Sequence, residues 1–252
     1  MKRILAFIAT ITMISACGHN VQTTSGKEYL AKYAATAPNT QNSGDANDIN
    51  KRIHDAAAIE PNLSFPARIG IARIERGGIS NIPPEELEIF LKTKEKLGTG
   101  FGEFVPVSPL VVESLKQNCK DCVSKVVDDI RVGSARQHLD AVFIYEVYDL
   151  TESDNNILAI ADLTIIGGFI LPSRHVEAKG FANAILIDIM QGYPYGNLQA
   201  TVTKKELATA WSDNREIKQN AKLAAVEKLS GDTYDMFMKL RAELAEKQAK
   251  KK

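Results

Sequence analysis

Apolar positions recur along this chain in a few rhythms, and each rhythm predicts its own kind of element. Ala67-Arg68-Ile69-Gly70-Ile71-Ala72-Arg73-Ile74 alternates, with Ile69, Ile71 and the Ile74 end apolar and Pro66 just ahead, which predicts a strand. Gly77-Gly78 ends it. Pro83 and Pro84 followed by Glu85 and Glu86 open a helix; Leu87, Phe90, Leu91, Lys94 and Leu97 keep helical spacing, and Gly98 closes it. Phe104 to Val107 reads as a short strand limited by Pro106, and Ser108 to Leu115 as one or two helical turns. Asp121 to His138 predicts a helix weakened around Gly133. Asp140 to Tyr148 starts as a continuous apolar run and passes into alternation, the pattern of a central strand.

The second half is dominated by strand patterns. Glu152 to Asn156 reads as a turn, Ile157 to Leu171 as a strand bent at Gly167-Gly168, and Pro172 to His175 as a second turn. Val176 to Met190 follows as a long strand, with Ala182, Ala184, Leu186 and Asp188 sharing one face. Gln191 to Asn197 turns the chain and Leu198 to Val202 pairs back. Thr203 with Glu206 three residues on reads as a capping box. The helix so opened runs through Leu207, Trp211, Ile217, Leu223, Val226 and Leu229, interrupted near Ser212-Asp213-Asn214 and broken at Gly231. Tyr234 to Lys250 is an amphipathic helix with Phe237, Leu240 and Leu244 on its stripe. The expected fold class is α/β (α+β): a mixed sheet with a βαβαβ first half, an antiparallel meander, and C-terminal helices packed on it.

The N-terminus carries a different pattern. Met1-Lys2-Arg3 precedes an apolar run of 11 residues, Ile4 to Ile14, and then Ser15-Ala16-Cys17-Gly18. A basic start, a short apolar segment and small residues before a cut describe a secretory signal over residues 1–16. Ile14-Ser15-Ala16-Cys17 resembles a bacterial lipobox, which implies that the Cys17 thiol is lipidated and becomes the new N-terminus, with acyl chains of the palmitate kind. Gly18 in place of an Asp resembles the pattern for onward transfer to the outer membrane. Residues 17–64 are then expected to form a lipidated tether with short helices near Lys27 to Ala35 and Ile49 to Ile59, because Asn39 to Asp48 is polar and aperiodic. Residues 65–230 form the α/β domain and 231–252 a C-terminal amphipathic helix.

Composition narrows the function classes. Removing the first 16 of 252 residues takes away Lys2 and Arg3 and leaves 29 basic against 31 acidic residues, so the mature chain is near −2. No nucleic-acid partner is expected at that balance. The basic run Lys247 to Lys252 reads as a solvated helix end. Ile157 to Leu171 is too short to span a bilayer as a helix and carries Asp162.

Candidate chemistry is sparse. Cys119-Lys120-Asp121-Cys122 has the CxxC spacing, but no second pair completes a zinc ribbon, so no metal is expected. In an oxidising envelope Cys119 and Cys122 are a candidate local disulfide; a redox pair and free thiols are the alternatives. His19, His54, His138 and His175 are scattered, with His175 read as a turn residue, and neither a nucleophile elbow nor a phosphate loop is present. Asp162 and Asp188 are the acids expected to be partly buried, either as tuned carboxyls or as backbone caps. Tyr193-Pro194-Tyr195 is either an exposed aromatic contact or the cover of a sheet end.

Arg68-Ile69-Gly70-Ile71-Ala72, Leu139 to Tyr145, Asp162 to Phe169 and Ala184 to Ile189, together with the lipobox, resemble the rhombotarget-type lipoproteins of Gram-negative bacteria. The layout is more distantly similar to lipoproteins with a TolB N-terminal-like or curli-secretion-like α/β domain. The resemblance covers Pro66 to Val202 and implies a non-enzymatic envelope role with no cofactor. One departure is that Lys247 to Lys252 stands where that family has a Gly-Gly motif, a span and basic residues. The expectation is a lipid-anchored, periplasm-facing protein that binds another envelope protein and attaches to the membrane through Cys17. A subunit of an oligomeric outer-membrane secretion assembly and a thiol oxidoreductase using Cys119 and Cys122 are the alternatives.

Overall fold

A computed structural model describes residues 20–33, 44–114, 125–155, 174–208 and 215–250. The chain is mixed α/β, and one seven-stranded sheet carries the fold. Its strands are β1 (Asn20–Val21), β2 (Ala67–Glu75), β3 (Gly78–Ser80), β4 (Gly102–Pro106), β5 (Ala141–Asn155), β6 (Arg174–Asp188) and β7 (Pro194–Ala208). The helices are α1 (Gly26–Ala31), α2 (Gly44–Ala57), α3 (Pro84–Leu97), α4 (Pro109–Glu113), α5 (Val126–Arg136) and α6 (Arg215–Lys250).

The alternating β2 sequence becomes the hub. It pairs in parallel with β5 on one side, and on the other side with β4 in parallel along its first half and with β3 antiparallel along its second. The β2–β3 hairpin closes through Arg76 and Gly77, both at positive φ (51° and 77°), the two-residue geometry that matches strand twist. The meander β5–β6–β7 is antiparallel throughout, and β1 closes the far edge against Asn197 and Gly196.

Strand alternation sorts side chains onto two cores. Ile69, Ile71, Phe143, Leu186, Leu198 and Ala200 meet Phe90 of α3 and Val226, Leu229, Phe237 and Leu240 of α6. Ala72, Val142, Ile144 and Ile187 meet Val112 of α4 and Ile130 of α5. Phe90 is fully buried, with ring centroids 5.7 Å from Phe143 and 4.9 Å from Tyr145. Each such side chain contributes roughly 1.5–3 kcal/mol by leaving water. Where α6 crosses β6, a Cβ on Gly180 would stand 2.0 Å from the Ala221 carbonyl oxygen, so the helix backbone lies directly on the strand.

Several expectations are corrected. Glu152 to Asn155 continue β5, and Arg174 and His175 belong to β6, rather than forming turns. Asn155 and Arg174 are still paired, so the hairpin strands outlast their apolar stretches because ladder bonds, not burial, define them. Thr203 and Glu206 lie within β7, paired with Lys179 and Val176, so there is no capping box. Gly231 does not break α6, because the buried stripe continues on both sides through Val226, Leu229, Thr233, Met236 and Phe237. Residues 20–26 also do not hang as a free tether, since β1 is a member of the sheet. Ile157 to Leu171, Trp211, Cys17, Cys119, Cys122 and Asp162 lie outside the described residues.

Candidate functional site

Two places concentrate polar chemistry. The first lies where the β2 and β5 strands run side by side while the helices that follow β2 and β4 leave on opposite faces. Open α/β sheets bind ligands outside the carboxyl ends of strands at such a switch point. Here the position is filled by the protein's own side chains. Arg73 shares the face of Ile69 and Ile71 and is 6 % exposed; Glu86, in the first turn of α3, is 4 % exposed. Arg73 Nε donates to Glu86 Oε2 at 3.0 Å, and the Tyr145 hydroxyl donates to the same oxygen at 2.8 Å. Arg73 Nη1 donates to Glu75 Oε2 at 2.7 Å and to Ser80 Oγ at 3.0 Å.

The electrostatics of this cluster favour fixed charges. Burial works against the Arg73 charge, but the hydrogen bond to Glu75 and the charges of Glu86 and Glu75 outweigh it and hold Arg73 above its ordinary value. Hydrogen bonding to Arg73 and its charge hold the Glu75 carboxyl below the usual range. Burial, and then the Glu86 carboxylate, push the Tyr145 phenol far above its ordinary value. A base or nucleophile would need a proton that moves near neutrality; the shifts of Arg73, Glu75 and Tyr145 all run away from it.

The second place is the seam between the N-terminal segment and the body. Tyr195 is fully buried and its hydroxyl accepts from the Asn62 and Leu63 amides at 2.9 Å and 2.6 Å. Tyr193 donates to the Thr24 carbonyl at 2.8 Å, and the two rings stand 5.0 Å apart. Burial pushes the Tyr195 phenol up to about 12 and also raises that of Tyr193. Thr23 Oγ1 donates to Glu243 Oε2 at 2.8 Å, and Lys247 donates to the Thr23 carbonyl. Ser25 Oγ donates to Glu60 at 2.9 Å and caps α1.

Two clefts flank this seam. One of about 620 Å³ is lined by Thr23, Glu28, Asn62, Leu63, Leu244 and Lys247. The other, of about 470 Å³, is lined by Gln22, Tyr29, Ile53, Ile59, Tyr193 and Pro194. Both fall in the size range of small-molecule pockets. In the first cleft Lys247 lies 4.0 Å from Glu28.

Residues singled out from the sequence are not brought together. Asp188 is buried and caps its own turn, accepting from the Gln191 amide at 2.6 Å. His54 is exposed beside Asp55, and His138 occupies a positive-φ position (54°) after α5. Tyr193 and Tyr195 cover the sheet end and are not an exposed contact. Among the described residues no cluster of three metal-ligating side chains exists, and no helix is long and apolar enough to cross a membrane. Arg73, Glu86 and Tyr145 were not singled out. The available signal was Arg73 in step with Ile69 and Ile71 on a strand buried on both faces.

No family model matches the chain, and no curated protein matches its sequence. Solved structures similar to it include the PelC dodecamer from Paraburkholderia phytofirmans, at 12% identity and TM-score 0.30 over 67% of this chain and 88% of that one. Lipoprotein GNA1162 from Neisseria meningitidis is similar at 17% identity and TM-score 0.31, over 66% of this chain and 99% of that one. The hypothetical protein CT253 from Chlamydia trachomatis is similar at 9% identity and TM-score 0.27, over 71% and 95%. At these identities and scores no residue role carries over to this chain.

Proposed function

We propose that this chain is a lipid-anchored bacterial envelope protein whose α/β domain faces the periplasm and works by binding, not by catalysis. The observation that carries the reading is the Ile14-Ser15-Ala16-Cys17 tetrad behind an apolar run too short to span a bilayer. An amide-linked chain plus a diacyl group gives stable attachment, since more than one chain is needed for it. The interior supports a binding role: Arg73, Glu86 and Tyr145 satisfy one another, Thr93 and Ser230 share a 2.5 Å hydrogen bond, and Asp188 holds a turn. The two clefts beside the N-terminal segment are where a partner or ligand would engage. The test is Cys17→Ala expressed in a Gram-negative host with a clickable palmitate analogue. The parent should take up the label and sediment with outer membranes, and the variant should do neither. A variant that still sediments with membranes overturns the anchoring claim.

A second reading, a subunit of a larger assembly, is favoured by one feature. Among the described residues the outer edge of β7 is paired only where β1 covers it, at Asn197, Gly196 and Tyr195, leaving Leu198 to Ala208 open to another strand. A monomeric mass by light scattering in detergent removes this reading. In either case β6 is paired on both sides within the sheet along its described length, so it is not free to enter a barrel as a separate strand.

A further inference from the structure

We propose that the open edge of β7 lies against the membrane, with anionic phospholipid headgroups as its partner; this rests on Cys17 being the lipidated residue. Three peptide steps separate Cys17 from Asn20. A chain of that length spans at most about 11 Å. Asn20 is not the start of a tether, because it is already paired with Asn197, and the Gln22 amide donates to the Tyr195 carbonyl at 2.8 Å. Thr23 and Thr24 are then fixed by Glu243 and Tyr193. The lipid-bearing residue is therefore held close to one specific flank of a rigid body.

The direction of the chain decides which flank. β1 runs antiparallel to β7, with Asn20 opposite Asn197 and Val21 opposite Gly196. At Asn20 the β1 backbone, followed toward lower residue numbers, is aimed along β7 toward its later residues, Leu198 to Ala208, whose outer edge is unpaired among the described residues. That stretch carries the chemistry a headgroup layer attracts. Lys204 and Lys205 leave β7 on its two faces, and Lys228 of α6 donates to the Thr201 carbonyl at 3.4 Å. Lys179 of β6 stands opposite Thr203. Against these four lysines stand three acids: Glu177, which Lys205 holds at 2.9 Å and Lys179 at 3.4 Å, Glu206 in the strand sequence, and Asp232, one turn after Lys228 on the same side of α6. The flank is thus net basic on a mature chain near −2. Lysines at the edge of a sheet also discourage pairing with other chains, and apposition to the bilayer would cover the same unpaired backbone groups. A basic surface next to an acyl anchor supplies the second signal that strengthens membrane attachment.

The test acylates lysines of the full lipoprotein with an anionic, membrane-impermeant reagent and reads each site by mass spectrometry. The probe membranes are vesicles of phosphatidylethanolamine and phosphatidylglycerol, with the protein added from detergent so that it faces outward. The soluble Cys17→Ala protein is the reference, and exposed Lys125 at the start of α5, on the other face of the sheet, is the internal control. At a surface potential of about −30 mV such a reagent is depleted about threefold, so Lys204 and Lys205 should label at least about threefold more slowly on vesicles while Lys125 is unchanged. A variant with twelve flexible residues inserted between His19 and Asn20 should remain on the vesicles and regain the soluble labelling rate. Unchanged labelling of Lys204 and Lys205 on a protein whose Cys17 mass shows the acyl groups overturns this inference alone. So does protection that survives the insertion. Absence of the acyl mass overturns the anchoring reading beneath it.

Discussion

Tyr195 ties a buried hydroxyl to two backbone amides, and its cost and benefit can be read from one residue. Replacing it with Phe leaves the Asn62 and Leu63 amides without their acceptor, which costs about 1–3 kcal/mol at neutral pH. The pH dependence has a definite sign. The phenol titrates near 10 in the unfolded chain and is pushed up to about 12 by burial in the fold. The unfolded chain therefore releases the proton first, so the contribution is complete below pH 10 and is lost as pH rises toward 12, amounting to about 3 kcal/mol. Tyr145, also raised, adds to the same alkaline limb. Urea unfolding at about pH 8 and about pH 11 should show the parent losing stability between them and Tyr195→Phe losing less. An equal loss in both proteins would remove Tyr195 from the explanation. The seam these tyrosines make was only half legible in the sequence. Two tyrosines around a proline mark a turn, but whether they cover a sheet end or face a partner depends on Asn62 and Leu63, more than a hundred residues earlier in the chain. The Arg73–Glu86–Tyr145 cluster was obscure for the same reason: its members come from three elements, and only Arg73 is out of character with its own strand.

At the scale of elements, local pattern and tertiary packing agree in most places, and the exceptions are instructive. The β2 strand, α3 with its proline start and glycine stop, and the Phe237-Leu240-Leu244 stripe follow directly from periodicity. The turn residues at 152–155 and the capping signal at Thr203 do not, because strands already paired in the antiparallel meander extend along their ladder regardless of polarity. Gly231 marks the contrast most clearly. Its helix-breaking tendency is overridden by buried neighbours in α6, and an added Cβ there meets nothing within 4 Å. Gly231→Ala should therefore stabilise the fold by about 1 kcal/mol. Gly180→Ala should do the opposite, by about 1–3 kcal/mol, because its Cβ would collide with the Ala221 carbonyl and push α6 off β6. Denaturant midpoints of the two variants check both signs, and a destabilised Gly231→Ala would mean that α6 is strained at that point.

For the whole molecule, the question is whether the N-terminal segment is a layer added to the domain or part of its cooperative core. The central strands are buried on both faces at Ile69 to Arg73 of β2, Ala141 to Tyr145 of β5 and Leu186 to Asp188 of β6, whereas β1 contributes two residues at an edge and α1 has only Gly26 buried. The segment is held by individual hydrogen bonds, from Gln22 to Tyr195, Tyr193 to Thr24, Thr23 to Glu243 and Ser25 to Glu60, rather than by an apolar stripe of its own. Such a layer should open on its own at a lower free energy than the body. Gln22→Pro removes one donor from the β1–β7 pairing, worth about 1 kcal/mol, and deprives the short strand of the bond nearest its latch. Amide exchange should then speed up for residues 20–26, while Ile71, Phe143 and Leu186 keep their parent rates. Faster exchange at those core amides by the same factor would show instead that the segment and the sheet unfold together. The distinction bears on the proposed function, because with an acyl anchor at Cys17 a segment that opens alone would lengthen the link to the domain, and one that cannot would keep the β7 flank against the membrane.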